Sequence, residues 1–263
     1  MTHLDEQRLA FGPMAELYDR ARPSYPAGAI DDVIAHAGLR ESDPVLEIGA
    51  GTGKATVLLA GRGLRVLALE PSAEMAAVAR INCAAYPRVC VVEQEFESWQ
   101  ASEPVRAVLS AAAWHWISPD VRYPRAHRAL IRGGTLAALW TFPDWEACAL
   151  RDGLRDAYRA VVPGLTSDFP MHPASRPTRL AGDWRAEIEA SAGFENPQVR
   201  IHPWCGDYTG LEYTRLLQTH QDHIRLPSDD RERLLVAIAD VINAAGGTVT
   251  MPFETRVCLA TRR

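Results

Sequence analysis

The residues best placed to do chemistry form a glycine-rich stretch in the N-terminal half of the chain. Residues 45–53 read VLEIGAGTG, and residues 67–70 read LALE. This order predicts a buried strand, a tight turn that leads into a helix, and a second strand that ends in an acid. Glu70 lies 21 residues after Gly49, close to the ~20-residue spacing at which an acidic side chain reaches ribose hydroxyls. The stretch therefore predicts a nucleoside site.

The spacing of the glycines separates three kinds of glycine loop. A phosphate-binding P-loop needs Gly, four residues, and then Gly-Lys-Ser/Thr. Gly53 and Lys54 fit the centre of that pattern, but Ile48 and Ala55 occupy its first and last positions. The dinucleotide fingerprint Gly-x-Gly-x-x-Gly/Ala fails in both registers, because Lys54 or Thr56 stands where the third small residue belongs. The loop has instead the form Glu-x-Gly-x-Gly-x-Gly.

The carboxylate of Glu47, two residues before the first glycine, adds an argument from charge. Beside a pyrophosphate it would add repulsion at short range. Beside a ligand that carries an ammonium and a sulfonium it is tolerated or helpful, since both charges are positive. The loop therefore favours S-adenosylmethionine over a nicotinamide dinucleotide. An NAD(P)-dependent oxidoreductase and a non-catalytic S-adenosylmethionine-binding protein remain the alternatives.

At this point the chain resembles the class I S-adenosylmethionine-dependent methyltransferases, over residues 11–142. YDRARPSYP at 18–26 resembles the N-terminal arm of one bacterial small-molecule branch, and EFESW at 95–99 its adenine loop. AWHWI at 113–117 and LIRGGTL at 130–136 match the stretches that end its fourth strand and open its fifth. The resemblance implies a Rossmann-like α/β fold, with a mostly parallel seven-stranded sheet, flanking helices and a late antiparallel pair.

The loop and the resemblance together imply which residues bind the cofactor. The predicted set is Tyr18, Arg22, Glu47, Gly49, Ala50, Gly51, Gly53, Glu70, Pro71, Met75, Glu95, Phe96, Ala112 and Trp114. Arg22 suits the methionine carboxylate because its guanidinium offers bidentate donors. Glu95 and Phe96 would present a backbone amide and an apolar wall to adenine, and Met75 would pack on the other face. A tight turn, a strand-end acid and ordinary core packing are the structural alternatives.

The tripeptide Trp114-His115-Trp116 lies at the predicted end of the fourth strand, where ligands bind in open parallel sheets. Its indoles could attract a sulfonium through cation–π contacts worth ~0.5–2 kcal/mol. His115 is the candidate catalytic residue, because its unperturbed pKa near ~6.5 suits a proton acceptor. Packing is the alternative for all three side chains.

Two further patterns argue against other chemistries. Methyltransferases that act on nucleobase amines carry Asn/Asp/Ser-Pro-Pro-Tyr/Phe/Trp at this strand end, whereas Ser110 is followed by three alanines. His220 and His223 are spaced to share a helix face, and His202 lies upstream. No matching carboxylate pattern accompanies them, and methyl transfer needs no metal. The prediction is therefore no metal site.

Composition narrows the class of partner. The chain has 263 residues, 47% of them hydrophobic, and a net charge of -5 with no dense basic run. Nucleic acid and anionic membranes are therefore poor candidates, and a small-molecule acceptor is expected. The five cysteines form no C-x-x-C pair, and no stretch approaches the ~20 apolar residues of a membrane span. These features, with no signal segment, predict a cytoplasmic protein, as a monomer or homodimer.

The alternation of apolar and helical patterns predicts how these residues are positioned. Strands are expected at 44–48, 64–69, 88–92, 105–112 and 134–142, with helices between them. Beyond these, helices are expected at 144–162, 182–191, 211–220 and 228–245, and strands at 198–202 and 256–260. Residues 1–263 then form one domain, in which 1–142 hold the arm and the cofactor half, 143–225 a substrate cap or lid, and 226–263 a closing helix and strands.

Overall fold

The fold is built on a seven-stranded sheet. The computed structural model describes residues 11–165, 170–175 and 183–263. The strands in this part of the chain are β1 (Pro44–Ile48), β2 (Arg65–Glu70), β3 (Val89–Glu93), β4 (Val105–Ala111), β5 (Leu130–Pro143), β6 (Phe194–Thr209) and β7 (Thr248–Arg262). Their order is β3-β2-β1-β4-β5-β7-β6. β1 to β5 are parallel, whereas β7 runs antiparallel to β5 and β6. The predicted sheet with a late antiparallel pair is confirmed.

Helices cover both faces of this sheet. In chain order they are α1 (Ala15–Ala21), α2 (Ala27–Ala37), α3 (Lys54–Ala60), α4 (Ala73–Asn82), α5 (Pro119–Ala129), α6 (Arg151–Val161), α7 (Trp184–Ala190), α8 (Gly210–Gln218), α9 (Gln221–Ile224) and α10 (Ser228–Ala244), with 3-10 turns at Gly12–Met14 and Trp114–Trp116. Among the described helices, none combines the length and apolar character that a membrane crossing requires.

The central strands are apolar on both faces because each face has its own core. Leu46 of β1 packs in a cluster with Tyr123 of α5, and its neighbour Val45 packs in a second cluster with Ile30 of α2. Side chains alternate across a strand, so a strand covered on both faces must be hydrophobic at nearly every position. Packing on both faces holds the parallel strands in place, so that their carboxyl ends lie side by side at one edge of the sheet.

A third core lies next to the sheet and joins the C-terminal helices to its antiparallel end. Leu154 of α6, Leu217 of α8 and Ile238 of α10 pack with Met251 of β7. These four side chains are at most 2% exposed, so hydrophobic packing holds these helices against the sheet. The core places α8 and α9 beside the strand ends.

β6 is much longer than the predicted strand at 198–202. It runs from Phe194 to Thr209 as an edge strand paired with β7. Pro203 argues against a central strand in the sequence, but an edge strand has one side free of ladder hydrogen bonds and tolerates proline. Asn196 has a positive φ of 53°, at a register shift between residues 195 and 198. Part of the segment predicted as a cap therefore belongs to the sheet.

The helix predicted from residue 144 begins later, at Arg151. The Asp144 side chain accepts hydrogen bonds from the backbone N of Glu146 at 3.2 Å and of Ala147 at 3.4 Å. Aspartate side chains that bond the following backbone hold a turn in place of a helix. The chain therefore turns once before α6, which brings the segment after β5 back over the strand ends.

The two-faced core makes a stability prediction. Leu139 of β5 is fully buried in the cluster on the α2 side, so Leu139→Ala should lower the free energy of unfolding by ~2–5 kcal/mol. Val236 on α10 is 56% exposed, and Val236→Ala should change it by less than ~0.5 kcal/mol. Urea denaturation measures both; equal losses would contradict the assignment of the core.

Candidate functional site

The candidate site lies at the carboxyl ends of β1, β2, β4 and β5. The glycine loop leaves β1 with three residues in the left-handed region, Gly49, Gly51 and Gly53, at φ values of 67°, 58° and 85°. The backbone N of Gly49 and of Ala50 donates to Leu69 O at 2.9 and 3.0 Å. A Cβ on Gly49 would lie 2.4 Å from the Ala113 Cβ, so glycine is required for this close passage.

Glu70 connects the loop to the next helix. Its Oε2 accepts a hydrogen bond from Gly51 N at 2.8 Å, and its Oε1 accepts one from Ser72 N at 2.9 Å. Ser72 in turn caps α4 as predicted, since its Oγ accepts from Met75 N at 3.3 Å. The Gly51 amide is thus bonded to a carboxylate, where a dinucleotide site would offer such amides to a pyrophosphate.

Glu47 is buried under the loop, with 1% of its surface exposed. Its Oε2 accepts a hydrogen bond from Thr56 Oγ1 at 2.6 Å, and its Oε1 has no hydrogen-bond partner among the described residues. Burial raises the pKa of Glu47 to about 8, against the opposing effect of the Thr56 hydrogen bond and with added repulsion from Glu70. At neutral pH the group is therefore largely protonated, and a nearby cation would favour its ionised form.

The N-terminal arm is tied down over the loop by polar contacts. Lys54 Nζ donates to Asp19 O at 2.6 Å and lies 3.6 Å from Asp19 Oδ1. Asn82 Nδ2 donates both to Asp19 Oδ1 at 3.0 Å and to Thr52 O at 2.8 Å. Lys54 stands where a P-loop lysine would, but its charge is directed at the arm. These contacts fix α1 against α3 and α4.

Arg22 continues this connection towards the C-terminal half. Its Nε donates to Thr219 Oγ1 at 2.8 Å and its Nη2 to Thr219 O at 2.9 Å. The guanidinium lies 5.0 Å from the ring centroid of Tyr18, a cation–π distance. Arg22 is thus held in one orientation between the arm and the end of α8, on the rim of the site.

Two adjoining cavities share the loop as a wall. The main cavity brings together most of the predicted residues: Tyr18, Arg22, Gly49, Gly51, Glu70, Pro71, Met75, Glu95, Phe96, Ala112 and His115. The second cavity is lined in part by Tyr18, Arg22, Glu47, Gly49, Ala50, Gly51 and Ala112. The tertiary structure therefore places the arm, the loop and the strand ends around one connected space.

Gly53 and Trp114 lie outside both cavities. Gly53 precedes α3, and a Cβ there would lie 3.3 Å from the Cys83 Sγ. Trp114 is 1% exposed and packs edge to face on Tyr123 at 5.5 Å, with the Arg122 guanidinium 5.6 Å from its ring centroid. Both residues support the wall of the site from behind.

Ala112 ends β4 in a strained conformation. Its φ of 56° is in the left-handed region, and its backbone N donates to Leu139 O at 2.8 Å. Non-glycine residues in this region cost of order ~1–3 kcal/mol and cluster at functional sites. The strain turns the chain so that the residues after β4 form a floor for the main cavity.

Part of the main cavity's wall was not predicted from the sequence. Trp116 and His220, which the sequence singles out for a sulfonium contact and as a possible metal ligand, line the cavity together with residues that it does not single out: Phe11, Trp140, Phe142, Gln221 and Asp222. Trp140 and Phe142 lie near the carboxyl end of β5. Ligands bind at the carboxyl ends of parallel strands, so this position in the sequence could have predicted both residues as part of the site. Asp222 had no such signal, because α8 and α9 reach the site through packing with distant helices.

His115 is held by a contact that defines its protonated nitrogen. Trp140 Nε1 lies 3.0 Å from His115 Nδ1, and an indole N–H can only donate. Nδ1 is therefore the acceptor, and the neutral ring carries its proton on Nε2. Burial, with the positive charge of Arg122, lowers the pKa of His115 to about 4. The ring thus presents a hydrogen-bond donor to the cavity at neutral pH, in place of the proton acceptor expected from the sequence.

The residues present fit a nucleoside that carries positive charge. A Cβ on Gly51 would meet no atom within 4 Å, so a ligand can approach the loop closely. Glu70 supplies a carboxylate at this point, Met75 and Phe96 supply buried apolar walls, and Glu47 supplies a buried oxygen without a partner among the described residues. In the part of the chain described, no group of three His, Cys, Asp or Glu side chains is arranged to hold a metal ion.

Comparison with known proteins agrees with this geometry. A family model described as a methyltransferase domain matches residues 45–134. An uncharacterized methyltransferase of Mycobacterium tuberculosis is 41% identical over 140 residues, which span 53% of this chain and 55% of that protein. The matched part is thus about half the length of this relative.

Solved structures share the fold across nearly the whole chain. A protein of Anaeromyxobacter dehalogenans superposes with a TM-score of 0.65 at 21% identity, covering 90% of this chain and 97% of its own. A Thiobacillus denitrificans S-adenosylmethionine-dependent methyltransferase in complex with S-adenosylhomocysteine superposes with a TM-score of 0.54 at 12% identity, covering 92% and 94%.

Glu47 makes the stability depend on pH. In the unfolded chain it ionises near 4.5, but in the folded protein it keeps its proton up to about 8. The folded state therefore loses stability as pH rises through this range, by up to ~3–5 kcal/mol. Glu47→Gln stays neutral, so its stability relative to the unsubstituted protein should grow as pH rises from 5 to 8 in chemical denaturation. Glu41→Gln at an exposed site is the control; a constant Glu47→Gln difference would contradict the buried assignment.

The His115 contact predicts a fixed tautomer. Ring-nitrogen NMR of labelled protein should show neutral His115 with its proton on Nε2 from pH 5 to 8, because its pKa is lowered to about 4. Trp140→Phe removes the indole donor and should let Nδ1 carry the proton in part of the molecules. A titration midpoint near ~6.5 in the unsubstituted protein would show that the ring is not buried as described.

Proposed function

We propose that the chain is a class I S-adenosylmethionine-dependent methyltransferase, as its match to a methyltransferase-domain model and its fold suggest. It would transfer a methyl group from S-adenosylmethionine to an O, N or C nucleophile of a small molecule, without a metal. The observation that carries this proposal is the contact between the Glu70 carboxylate and the Gly51 amide. This contact supports the proposal because the Gly51 amide is already bonded to an acid, which could accept hydrogen bonds from a ribose. S-adenosylhomocysteine is the expected product.

Glu70 and the apolar walls would hold the nucleoside. A carboxylate has about four lone-pair sites, so its hydrogen bonds with Gly51 and Ser72 are compatible with acceptance from ribose hydroxyls. Met75 is 4% exposed and Phe96 3% exposed, and both line the main cavity. Flat apolar walls of this kind suit an adenine ring, with Glu95 and Pro71 beside it.

Glu47 and Arg22 would hold the amino-acid end. Burial keeps Glu47 protonated without a ligand, and an ammonium beside it would draw out the proton and leave an ion pair. Arg22 is oriented by Thr219 through two of the five guanidinium N–H donors. Donors that remain suit a carboxylate, which gives this end of the site two charges of opposite sign.

S-adenosylmethionine, when bound, supplies a methyl group on a sulfonium that is already activated. The chain's task is then alignment and exclusion of water, and orientation of this kind can supply ~7–11 kcal/mol. Trp116, Trp140 and Phe142 give the main cavity an aromatic wall. His115 offers its Nε2–H to an oxygen or nitrogen of the acceptor and so orients it.

A small-molecule acceptor is favoured by the enclosed aromatic wall and by the net charge of -5. We place the acceptor between the strand ends and the start of α9, where His220, Gln221 and Asp222 form the polar rim. The five cysteines are free, which supports a reducing compartment such as the cytoplasm.

The two alternatives are separable by binding. An oxidoreductase would use NAD(H), and the Glu70 carboxylate, which occupies the Gly51 amide, disfavours its pyrophosphate. A non-catalytic protein would bind S-adenosylmethionine but would methylate no acceptor. The aromatic cavity beside the loop favours an enzyme, since a regulatory binder needs no acceptor space.

Calorimetric titration with S-adenosylhomocysteine and with NADH tests the cofactor. We expect binding of the former and none of the latter. Gly51→Val should weaken S-adenosylhomocysteine binding by at least ~tenfold, because its side chain fills the space that the ligand needs. Gly133→Val is the matched control: Gly133 also has a positive φ, 74°, and open surroundings, but it is exposed on β5.

Binding of NADH alone would overturn the proposal. Undiminished affinity in Gly51→Val would refute the loop as the cofactor site. Equal losses in Gly51→Val and Gly133→Val would mean that backbone strain, and not the filled space, causes the loss.

A further inference from the structure

A carboxylate that the sequence analysis did not single out lies in the wall of the main cavity. Asp222 is 4% exposed and lines that cavity. Its Oδ1 is 2.9 Å from the ring Nδ1 of His223 and accepts from the His223 backbone N at 3.1 Å. Its Oδ2 is buried and has no hydrogen-bond partner among the described residues. One oxygen thus holds the side chain, and the other is an unpartnered acceptor of a residue that lines the cavity.

A buried chain of hydrogen bonds fixes the orientation of this carboxylate. Tyr158 Oη lies 2.7 Å from the His223 Nε2, and both side chains are at most 1% exposed. Because the carboxylate accepts from Nδ1–H, Nε2 is the acceptor of the Tyr158 hydroxyl. Every hydrogen-bonding atom of the His223 ring is therefore used, and Asp222 cannot turn without breaking the chain.

The rest of the cavity defines what a ligand of Asp222 would look like. The wall next to His115 is aromatic, with Trp116, Trp140 and Phe142. His115 offers one donor, as its Nδ1 is occupied by Trp140. A molecule that suits this space has an apolar, flat or compact body and one polar end with a hydrogen to give to Asp222.

We propose that the methyl acceptor is an aromatic or alicyclic compound whose nucleophilic atom carries a hydrogen, as O–H or N–H, and that Asp222 Oδ2 receives this hydrogen. The inference rests on the proposed methyl transfer and names its acceptor class and its base. Asp222 touches the acceptor directly, whereas His223 and Tyr158 position it.

The transfer step balances with these groups. The lone pair of the acceptor's oxygen or nitrogen forms the bond to the methyl carbon, while the C–S bond breaks and its electron pair stays on sulfur. The proton of the nucleophile passes to Asp222 Oδ2 and goes to water after the product leaves. Positioned acid–base groups of this kind typically contribute ~10²–10⁴-fold to rate. Acceptors whose nucleophile is a carboxylate are disfavoured, since a second carboxylate beside Asp222 would be repelled.

The first test needs no substitution. With the protein saturated with S-adenosylhomocysteine, ligand-observed NMR measures the affinities of two matched pairs, phenol with anisole and aniline with N,N-dimethylaniline. Each pair differs in the hydrogen on the heteroatom and in added methyl groups. We expect phenol or aniline to bind about tenfold or more tightly than its methylated partner, as a hydrogen bond to a carboxylate predicts.

The second test uses Asp222→Asn, which replaces the hydrogen-bond acceptor that faces the ligand with a donor. The two donors of His223 require the amide oxygen of Asn at the Oδ1 position, so the amide NH₂ takes the place of Oδ2. A donor then faces the ligand, and the preference for phenol over anisole should be lost or inverted. Asp207→Asn, the same change at an exposed residue on β6, should leave the preference unchanged.

The S-adenosylhomocysteine affinity of each variant distinguishes a failure of the acceptor and base assignment from a failure of the proposed function. Affinity within about twofold of the unsubstituted protein, with the preference lost in Asp222→Asn, supports the acceptor class and the base. Equal binding within both pairs, a preference that survives Asp222→Asn, or failure of all four compounds to bind overturns it while the cofactor site stands. Failure of the unsubstituted protein to bind S-adenosylhomocysteine overturns the proposed function itself. Should Asp222→Asn not fold, the comparison of pairs in the unsubstituted protein decides.

Discussion

The site depends on one carboxylate at the end of β2. Glu70 accepts hydrogen bonds from Gly51 N at 2.8 Å and from Ser72 N at 2.9 Å, so a single side chain joins the loop after β1 to the start of α4. Hydrogen bonds to an ionised acceptor are about twice as strong as neutral ones. Glycine can adopt many φ values, so the glycines alone do not define the path of the loop. The Glu70 carboxylate selects one path, and the loop wall of the main cavity follows from it.

Burial then sets the charge that the site carries. It raises the pKa of Glu47 to about 8 and lowers that of His115 to about 4, so both groups are neutral at pH 7. Under the proposed function, a cationic ligand would meet a group that can ionise as it binds, and an acceptor molecule would meet a donor with a fixed proton. Interactions with these two groups are stronger than they would be at the surface, because the effective dielectric around buried side chains is low.

The two halves of the chain meet over the strand ends through few, directional contacts. Arg22 of the arm donates twice to Thr219, 197 residues away in sequence, and Lys54 and Asn82 hold Asp19 above the loop. The third core, under α6, α8 and α10, supplies the stability that lets α9 place Asp222 at the rim. The side of the cavity that we propose for the acceptor is thus built by packing remote from the glycine loop.

The sequence by itself determined the parallel sheet and the glycine loop after β1, and it predicts the residues around that loop as the cofactor site. The apolar runs of β1, β2 and β4 and the spacing from Gly49 to Glu70 are local patterns, and local patterns survive into the fold because both faces of the sheet are covered. Only the tertiary structure decided the length of β6, whose prolines are tolerated at an edge, the tautomer of His115, which depends on Trp140, and the place of Asp222. These three follow from contacts between distant segments, and no spacing along the chain encodes them.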